Sequence, residues 1–320
     1  MDILKQIHDI GIIPVIAVDE AEQALPLCEA LVKGGLPAAE ITFRTAAGQK
    51  AIELVAKNNP DVLVGAGTVL TVDQCKAAIT AGAKFIVSPG YYDDVVNYCI
   101  EHNVPVLPGC VNASDCTKAV NAGLNVVKFF PAEQSGGISF IKALAPVFGQ
   151  LNFMPTGGVN TQNMMDYLGY DRIHACGGTW MVKKDLINNA KWDEIEKISK
   201  DAVKKMLGLT LVHIGINFEN GEEADKVAKM FCSMFDFEYK PGNSSIFCGT
   251  GVECNKSIGK GTNGHIAIGT SDVDRAMYHL AKRGVEFDMD TLKTDDKGRA
   301  KVVYLKGEFG GFAIHLVKRG

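Results

Sequence analysis

A lysine stands inside an otherwise apolar run, Val126-Val127-Lys128-Phe129-Phe130, closed by Pro131-Ala132-Glu133. An ammonium group is strongly disfavoured in such a strand, and a lysine in its neutral form is a nucleophile able to form an imine with a ketone. The plain alternative is a lysine snorkelling to a strand end, but its four apolar neighbours leave it little water. A second run, Ala39-Glu40-Ile41-Thr42-Phe43-Arg44-Thr45, alternates in character. The strand period puts Glu40, Thr42 and Arg44 on one face and Ile41 with Phe43 on the other. Three polar residues on one face are not ordinary filling, because buried charge needs a partner or a ligand. A structural Glu40–Arg44 pair is the competing explanation.

Three glycine-rich corners accompany these runs: Gly65-Ala66-Gly67-Thr68, Pro155-Thr156-Gly157-Gly158-Val159 and Cys176-Gly177-Gly178-Thr179-Trp180. The last two are expected to follow the seventh and eighth strands of the chain and to open helices. Backbone N–H groups at such places hold a dianion without any lysine.

The elements that must position these residues follow a regular rhythm. Apolar, strand-like runs fall at residues 12–18, 39–43, 62–65, 85–88, 104–107, 126–129, 153–155 and 173–176. They start about every 20 to 25 residues, the period of a βα unit with its crossover helix. Between them, residues 21–33, 48–58 and 73–81 carry helical spacing. Eight such units predict an α/β fold, a closed parallel (β/α)8 TIM barrel rather than an open doubly wound sheet. Residues 192–207 predict one closing amphipathic helix. Barrel enzymes act at the C-terminal ends of their strands, which is where Glu40, Lys128 and the glycine corners fall.

After Gly208 the rhythm changes. Residues 211–218 alternate like a strand, 222–235 predict a helix, and short strands follow. Residues 265–269, 273–283, 301–305 and 312–317 repeat the strand–helix–strands order, so a smaller α+β domain with twofold repetition is expected. The predicted domains are 1–207 and 209–320, closely coupled because no Pro/Ser-rich linker separates them.

The 320 residues are 47% hydrophobic and 22% charged, with a net charge of −4, which argues against a nucleic-acid partner held by bulk positive charge. No apolar run approaches a membrane span, and Met1-Asp2-Ile3-Leu4-Lys5 lacks the pattern of a secretory signal. Nine cysteines without metal-finger or disulfide spacing predict a cytoplasmic chain with reduced thiols. Cys110 and Cys176 are expected to be core thiols, and His102 and His174 structural. Lys183-Lys184 and Lys204-Lys205 are expected on solvated helix faces.

Residues 1–207 resemble the 2-keto-3-deoxy-6-phosphogluconate (KDPG) and 4-hydroxy-2-oxoglutarate (KHG) aldolase family. The matching segments are EITFRT (40–45), GAGT (65–68), Ser88-Pro89-Gly90, Pro108-Gly109, KFFPAE (128–133), PTGGV (155–159) and GGTW (177–180). The resemblance implies a class I aldolase with Lys128 as the Schiff-base lysine and Glu40 as the general acid/base. Arg44 and Thr68 would hold the pyruvate-end carboxylate, and Pro89 and Thr156 would shape the pocket. The phosphate would lie on Gly157, Gly158, Gly177 and Gly178, with Thr179 where a Ser is common. It further implies a small-molecule 2-keto acid substrate, a homotrimer, and no metal or other cofactor for this reaction. A non-covalent phosphosugar isomerase or epimerase is the competing assignment. It would share the phosphate loops but has no need of Lys128.

Residues 209–320 resemble the vicinal oxygen chelate, or glyoxalase/bleomycin-resistance, superfamily. The likeness rests on Leu211-Val212-His213-Ile214-Gly215, His265-Ile266-Ala267-Ile268 and Gly311-Phe312-Ala313-Ile314-His315-Leu316. It implies a divalent metal on His213, Glu253, His265 and His315, the last standing where a Glu is usual. Imidazoles with one carboxylate suit Zn, Fe, Mn or Ni. The alternative is a metal-free ligand-sensing or interaction module.

Overall fold

A computed structural model describes residues 2–319. The chain divides into two compact units, one ending at Met206 and the other beginning at Leu207.

The first unit carries β1 (Ile12–Ile16), β2 (Ala38–Thr42), β3 (Leu63–Gly67), β4 (Ile86–Val87), β5 (Val106–Leu107), β6 (Val126–Phe129), β7 (Asn152–Pro155) and β8 (Cys176–Gly178). Parallel pairing runs continuously from β1 to β5. A bridge from Gly109 to Lys128 joins β5 to β6, and Thr156–Gly177 and Phe153–Ile173 bridges lead from β7 towards β8. β8 then pairs with β1, Ile12 opposite Cys176 and Pro14 opposite Gly178, so the sheet closes into the expected TIM-barrel-like fold. β1, β2 and β3 are buried at every position. Burial on both faces is why parallel strands read as continuous apolar runs.

The intervening helices obey ordinary capping rules. Asp2 accepts the N–H groups of Leu4 and Lys5, Thr71 that of Gln74, and Asn112 that of Asp115, each satisfying donors that a helix start leaves without partners. The closing helix spans Trp192–Leu207.

The glycine corners differ from expectation. The ladder of β8 begins only at Cys176, because Ile173 makes a single bridge to Phe153. Gly177 and Gly178 therefore lie inside the strand rather than after it. Gly157 and Gly158 have φ of +95° and +80°, which cannot continue into a right-handed helix. The short helices that follow, Met164–Leu168 and Lys184–Asn188, start several residues downstream. Neither GG pair opens a helix, so any anion held there meets turn and strand N–H groups instead of a helix dipole.

The second unit is built on β9 (Thr210–Asn217), β10 (Tyr239–Pro241), β11 (Ser245–Cys248), β12 (Val252–Asn255), β13 (Gly264–Thr270), β14 (Phe287–Thr294), β15 (Ala300–Leu305) and β16 (Phe312–Lys318). They form one sheet in the order β10-β11-β12-β9-β13-β16-β15-β14. β12 runs parallel to β9 and β16 parallel to β13, while β9 and β13 meet antiparallel. Each half is thus strand, helix and three strands in the same arrangement, the repetition that the sequence shows. Ala224 and Ala228 of the helix Gly221–Phe235 pack on Ile246, Cys248 and Cys254. Among the described residues no helix is long and apolar enough to cross a membrane.

Candidate active site

Lys128 sits in mid-strand on β6. Its N–H donates to the Pro108 carbonyl and its own carbonyl accepts from Cys110, so its backbone is fixed to the neighbouring strand end. The side chain is 3% exposed and Nζ lies 3.2 Å from Oε1 of Glu40, which is completely buried on β2. The Phe130 ring flanks the ammonium at 5.3 Å. Room for Glu40 comes from β3, since a Cβ on Gly67 would stand 2.1 Å from the Glu40 carboxylate. The second carboxylate oxygen, Oε2, is buried with no hydrogen-bond partner. A buried ion pair costs desolvation and is weak evidence for stability. One with an unsatisfied acceptor, beside a lysine that lines a cavity, is better evidence for chemistry.

The three polar residues of the second run separate. Glu40 turns to Lys128. Thr42 is occupied internally, its hydroxyl donating to the Ile16 carbonyl at 2.8 Å. Arg44 lies past the end of β2 and donates from Nε to the Thr68 hydroxyl at 3.1 Å. The structure thus replaces the alternative Glu40–Arg44 pair with two separate contacts. Thr68 has φ +49°, a left-handed conformation unusual for a β-branched residue. Such strain costs about 1–3 kcal/mol and clusters at functional sites.

Lys128, Arg44 and Thr68 border a cavity of about 440 Å³, within the range of small-molecule sites, while Glu40 and Thr42 lie behind its lining. Lys128 and Phe130 line it with Val15, Arg44, Thr68 and Pro89, and Thr156, Gly157, Gly158, Gly178 and Thr179 lie along it too. Gly177 is not among the lining residues. It makes space instead, because a Cβ there would lie 2.3 Å from the Thr156 hydroxyl, which is itself buried without a partner. Val15, Phe130 and Val159 also line the cavity, although the sequence does not mark them as site residues. Val15 carries no signal by type, whereas Phe130 stands beside Lys128 and was seen only as its apolar neighbour. His102 and His174 each bond a backbone carbonyl, of Tyr98 and Leu4, and burial pushes the Cys110 thiol up, as befits a core cysteine.

Residues 3–198 match the family model described as KDPG and KHG aldolase. The chain belongs to the KDPG and KHG aldolase family.

It is 45% identical over 201 residues to the 2-dehydro-3-deoxy-phosphogluconate aldolase of Haemophilus influenzae, covering 63% of this chain and 95% of the relative. It is 38% identical over 193 residues to the KHG/KDPG aldolase of Escherichia coli strain K12, covering 60% and 91%. Among solved structures, the KDPG aldolase of Legionella pneumophila, with pyruvate captured as a covalent carbinolamine, aligns at TM-score 0.61 and 38% identity, covering 62% of this chain and 97% of that one. As a member of this aldolase family the protein is a lyase with class I aldolase chemistry. The family match stops at residue 198, so the second unit lies outside it.

That unit brings together the four residues singled out there. His213, Glu253, His265 and His315 stand on β9, β12, β13 and β16, four strands adjacent in the sheet. The ligating atoms of the three histidines lie within 4.8 Å of one another. Glu253 Oε2 is 3.3 Å from His213 Nε2 and 3.1 Å from His265 Nε2, and its other oxygen accepts from the Ser245 hydroxyl. Gly215 makes room, since a Cβ there would lie 2.2 Å from the His265 ring. Burial alone would raise the Glu253 carboxyl, but hydrogen bonds from His213, His265 and Ser245 hold it well below the usual carboxylate range. Burial, with His265 and His213 alongside, pushes His315 down to about 4, so it is neutral at neutral pH. Its Nδ1 is buried without a partner. Three imidazoles, that of His315 neutral with an unsatisfied ring nitrogen, and an ionised carboxylate form a donor set suited to a first-row divalent cation.

Proposed function

We propose that residues 1–207 cleave KDPG to pyruvate and glyceraldehyde 3-phosphate, and KHG to pyruvate and glyoxylate, through a Schiff base on Lys128. The observation that carries this reading is the buried Lys128, which lines the cavity and whose Nζ lies 3.2 Å from the Glu40 carboxylate behind it. Glu40 takes a proton from Nζ, and the amine attacks the C2 ketone. Returned by Glu40, the proton leaves with the carbinolamine hydroxyl as water. In the protonated imine that remains, electrons from the C3–C4 bond are drawn to nitrogen. Glu40 removes the C4 hydroxyl proton as that bond breaks and the aldehyde departs. The enamine is then protonated at C3, and water releases pyruvate and Lys128.

Arg44 and Thr68 hold the substrate carboxylate, and Pro89 and Thr156 set the pocket walls. Gly157 and Gly158, both at positive φ, present consecutive N–H groups of the kind that cradle anions. With Gly178 and Thr179 they receive the phosphate, while Gly177 supports Thr156. The same proposal makes the protein a cytoplasmic homotrimer. Incubation with pyruvate and borohydride, then peptide mapping, is expected to leave a reduced pyruvyl group on Lys128. A folded protein without that adduct would favour the non-covalent isomerase or epimerase instead.

For residues 209–320 we propose a vicinal-oxygen-chelate-like domain in which His213, Glu253, His265 and His315 hold one divalent cation. A cation there would supply Lewis acidity at a fixed position. Metal-free full-length protein given Zn or Ni is expected to bind one ion per chain and to gain about 2.7 kcal/mol of stability at a hundredfold excess over Kd. His265→Ala is expected to lose both effects. A protein that ignores added Zn, Mn and Ni in elemental analysis and thermal melts would end the metal reading.

A further inference from the structure

We propose that Glu133, held in place by Tyr167, is a positioning residue that fixes the Gly157–Gly158 turn and so sets the affinity for substrates with a terminal phosphate. This rests on the assignment of that turn to the phosphate.

Glu133 follows β6 by four residues, yet the chain there is still tied to the segment after β7. The Ala132 N–H donates to the Thr156 carbonyl at 2.8 Å and the Glu133 N–H to the Gly157 carbonyl at 3.1 Å. The Glu133 side chain covers Gly158, where a Cβ would meet Glu133 Cγ at 2.4 Å and its Cβ at 2.7 Å. Its Oε1 accepts from the Tyr167 hydroxyl of the helix Met164–Leu168. Tyr167 is 1% exposed, and burial together with Glu133 pushes its hydroxyl well above the ordinary tyrosine range, so it remains a donor. Gly137 lies against the same pair, where a Cβ would come 3.3 Å from the Tyr167 hydroxyl.

One carboxylate therefore connects the turn after β6, the turn after β7 and the helix that follows. Glu133 packs over Gly158 with its carboxylate engaged by Tyr167 and does not line the cavity, so it acts through the turn rather than on substrate. A carboxylate free to rotate beside an anion cradle would repel a dianion. The Tyr167 hydroxyl keeps it on the helix side.

The test compares Tyr167→Phe, Glu133→Ala and Glu133→Gln in the full chain. KDPG is the phosphorylated ligand, inorganic phosphate the competitor, and pyruvate with borohydride the phosphate-free reference. Tyr167→Phe and Glu133→Ala are expected to raise KM for KDPG and Ki for phosphate about tenfold, the loss of one hydrogen bond to a charged group. Their kcat and the pyruvate dependence of trapping should stay within about twofold of the parent. Glu133→Gln, whose amide oxygen still accepts from Tyr167, should restore most of the affinity. Unchanged KM and Ki, or pyruvate trapping weakened to the same degree, would overturn the positioning role. Absence of phosphate inhibition in the unmutated protein would instead overturn the phosphate assignment itself, and this role with it.

Discussion

Replacement of Lys128 by Met is expected to abolish aldol cleavage and the borohydride-trapped pyruvyl adduct together. Met keeps most of the length and volume of the side chain on β6, so the apolar surroundings stay filled while the nucleophile is gone. The cavity, Arg44 and the glycine turn remain in place, and only the covalent step is lost. A second consequence follows from burial. Glu40 is completely buried beside Lys128, and removing one partner of such a pair leaves an uncompensated charge worth about 3–5 kcal/mol of destabilisation. The single variant should therefore melt below the parent. The double variant Lys128→Met with Glu40→Gln should recover much of the lost stability while remaining inactive, because both charges have left the interior together. Loss of activity explained by unfolding alone would show activity returning with stability. Near-normal turnover in the folded single variant would remove Lys128 from its role.

The barrel was legible because burial on both faces forces its strands into apolar runs, and because crossover helices space those runs evenly. Lys128 stood out as a charge where the pattern had no place for one. Its partnership with Glu40 came from the family resemblance and not from any local pattern, since the two are 88 positions apart and meet only through closure of the sheet. Strand alternation grouped Glu40 with Thr42 and Arg44, but β2 ends at Thr42, whose hydroxyl has an internal partner. Periodicity does not report where a strand stops. The GG pairs were recognisable as special backbone, yet whether each lies in a turn or in a strand depended on the register of β8 against β1. In the second unit three strand histidines were visible in the sequence. Glu253 was grouped with them only by the superfamily resemblance, since no local pattern marks its strand, and the pairing of β12 with β9 brings it beside them.

Glu40→Gln is expected to lower kcat by about 10²-fold or more, the usual range for loss of a general acid/base. Gln fills the space that Gly67 leaves open, so the geometry of β2 against β3 should survive. Its orientation is dictated by Lys128. The amide carbonyl must face the ammonium, which places the NH2 where the unpartnered Oε2 now stands. A group that donates but cannot take up a proton then occupies that position. Neither deprotonation of Lys128 nor removal of the C4 hydroxyl proton has its base, and the carbinolamine loses its acid. The nucleophile itself is intact, so prolonged incubation with pyruvate and borohydride should still label Lys128, slowly. That outcome separates the two variants: Lys128→Met loses the adduct, whereas Glu40→Gln loses speed. An unchanged kcat in Glu40→Gln would assign the proton transfers to another group. Complete loss of labelling in a folded Glu40→Gln protein would mean that Glu40 is needed for any carbinolamine to form.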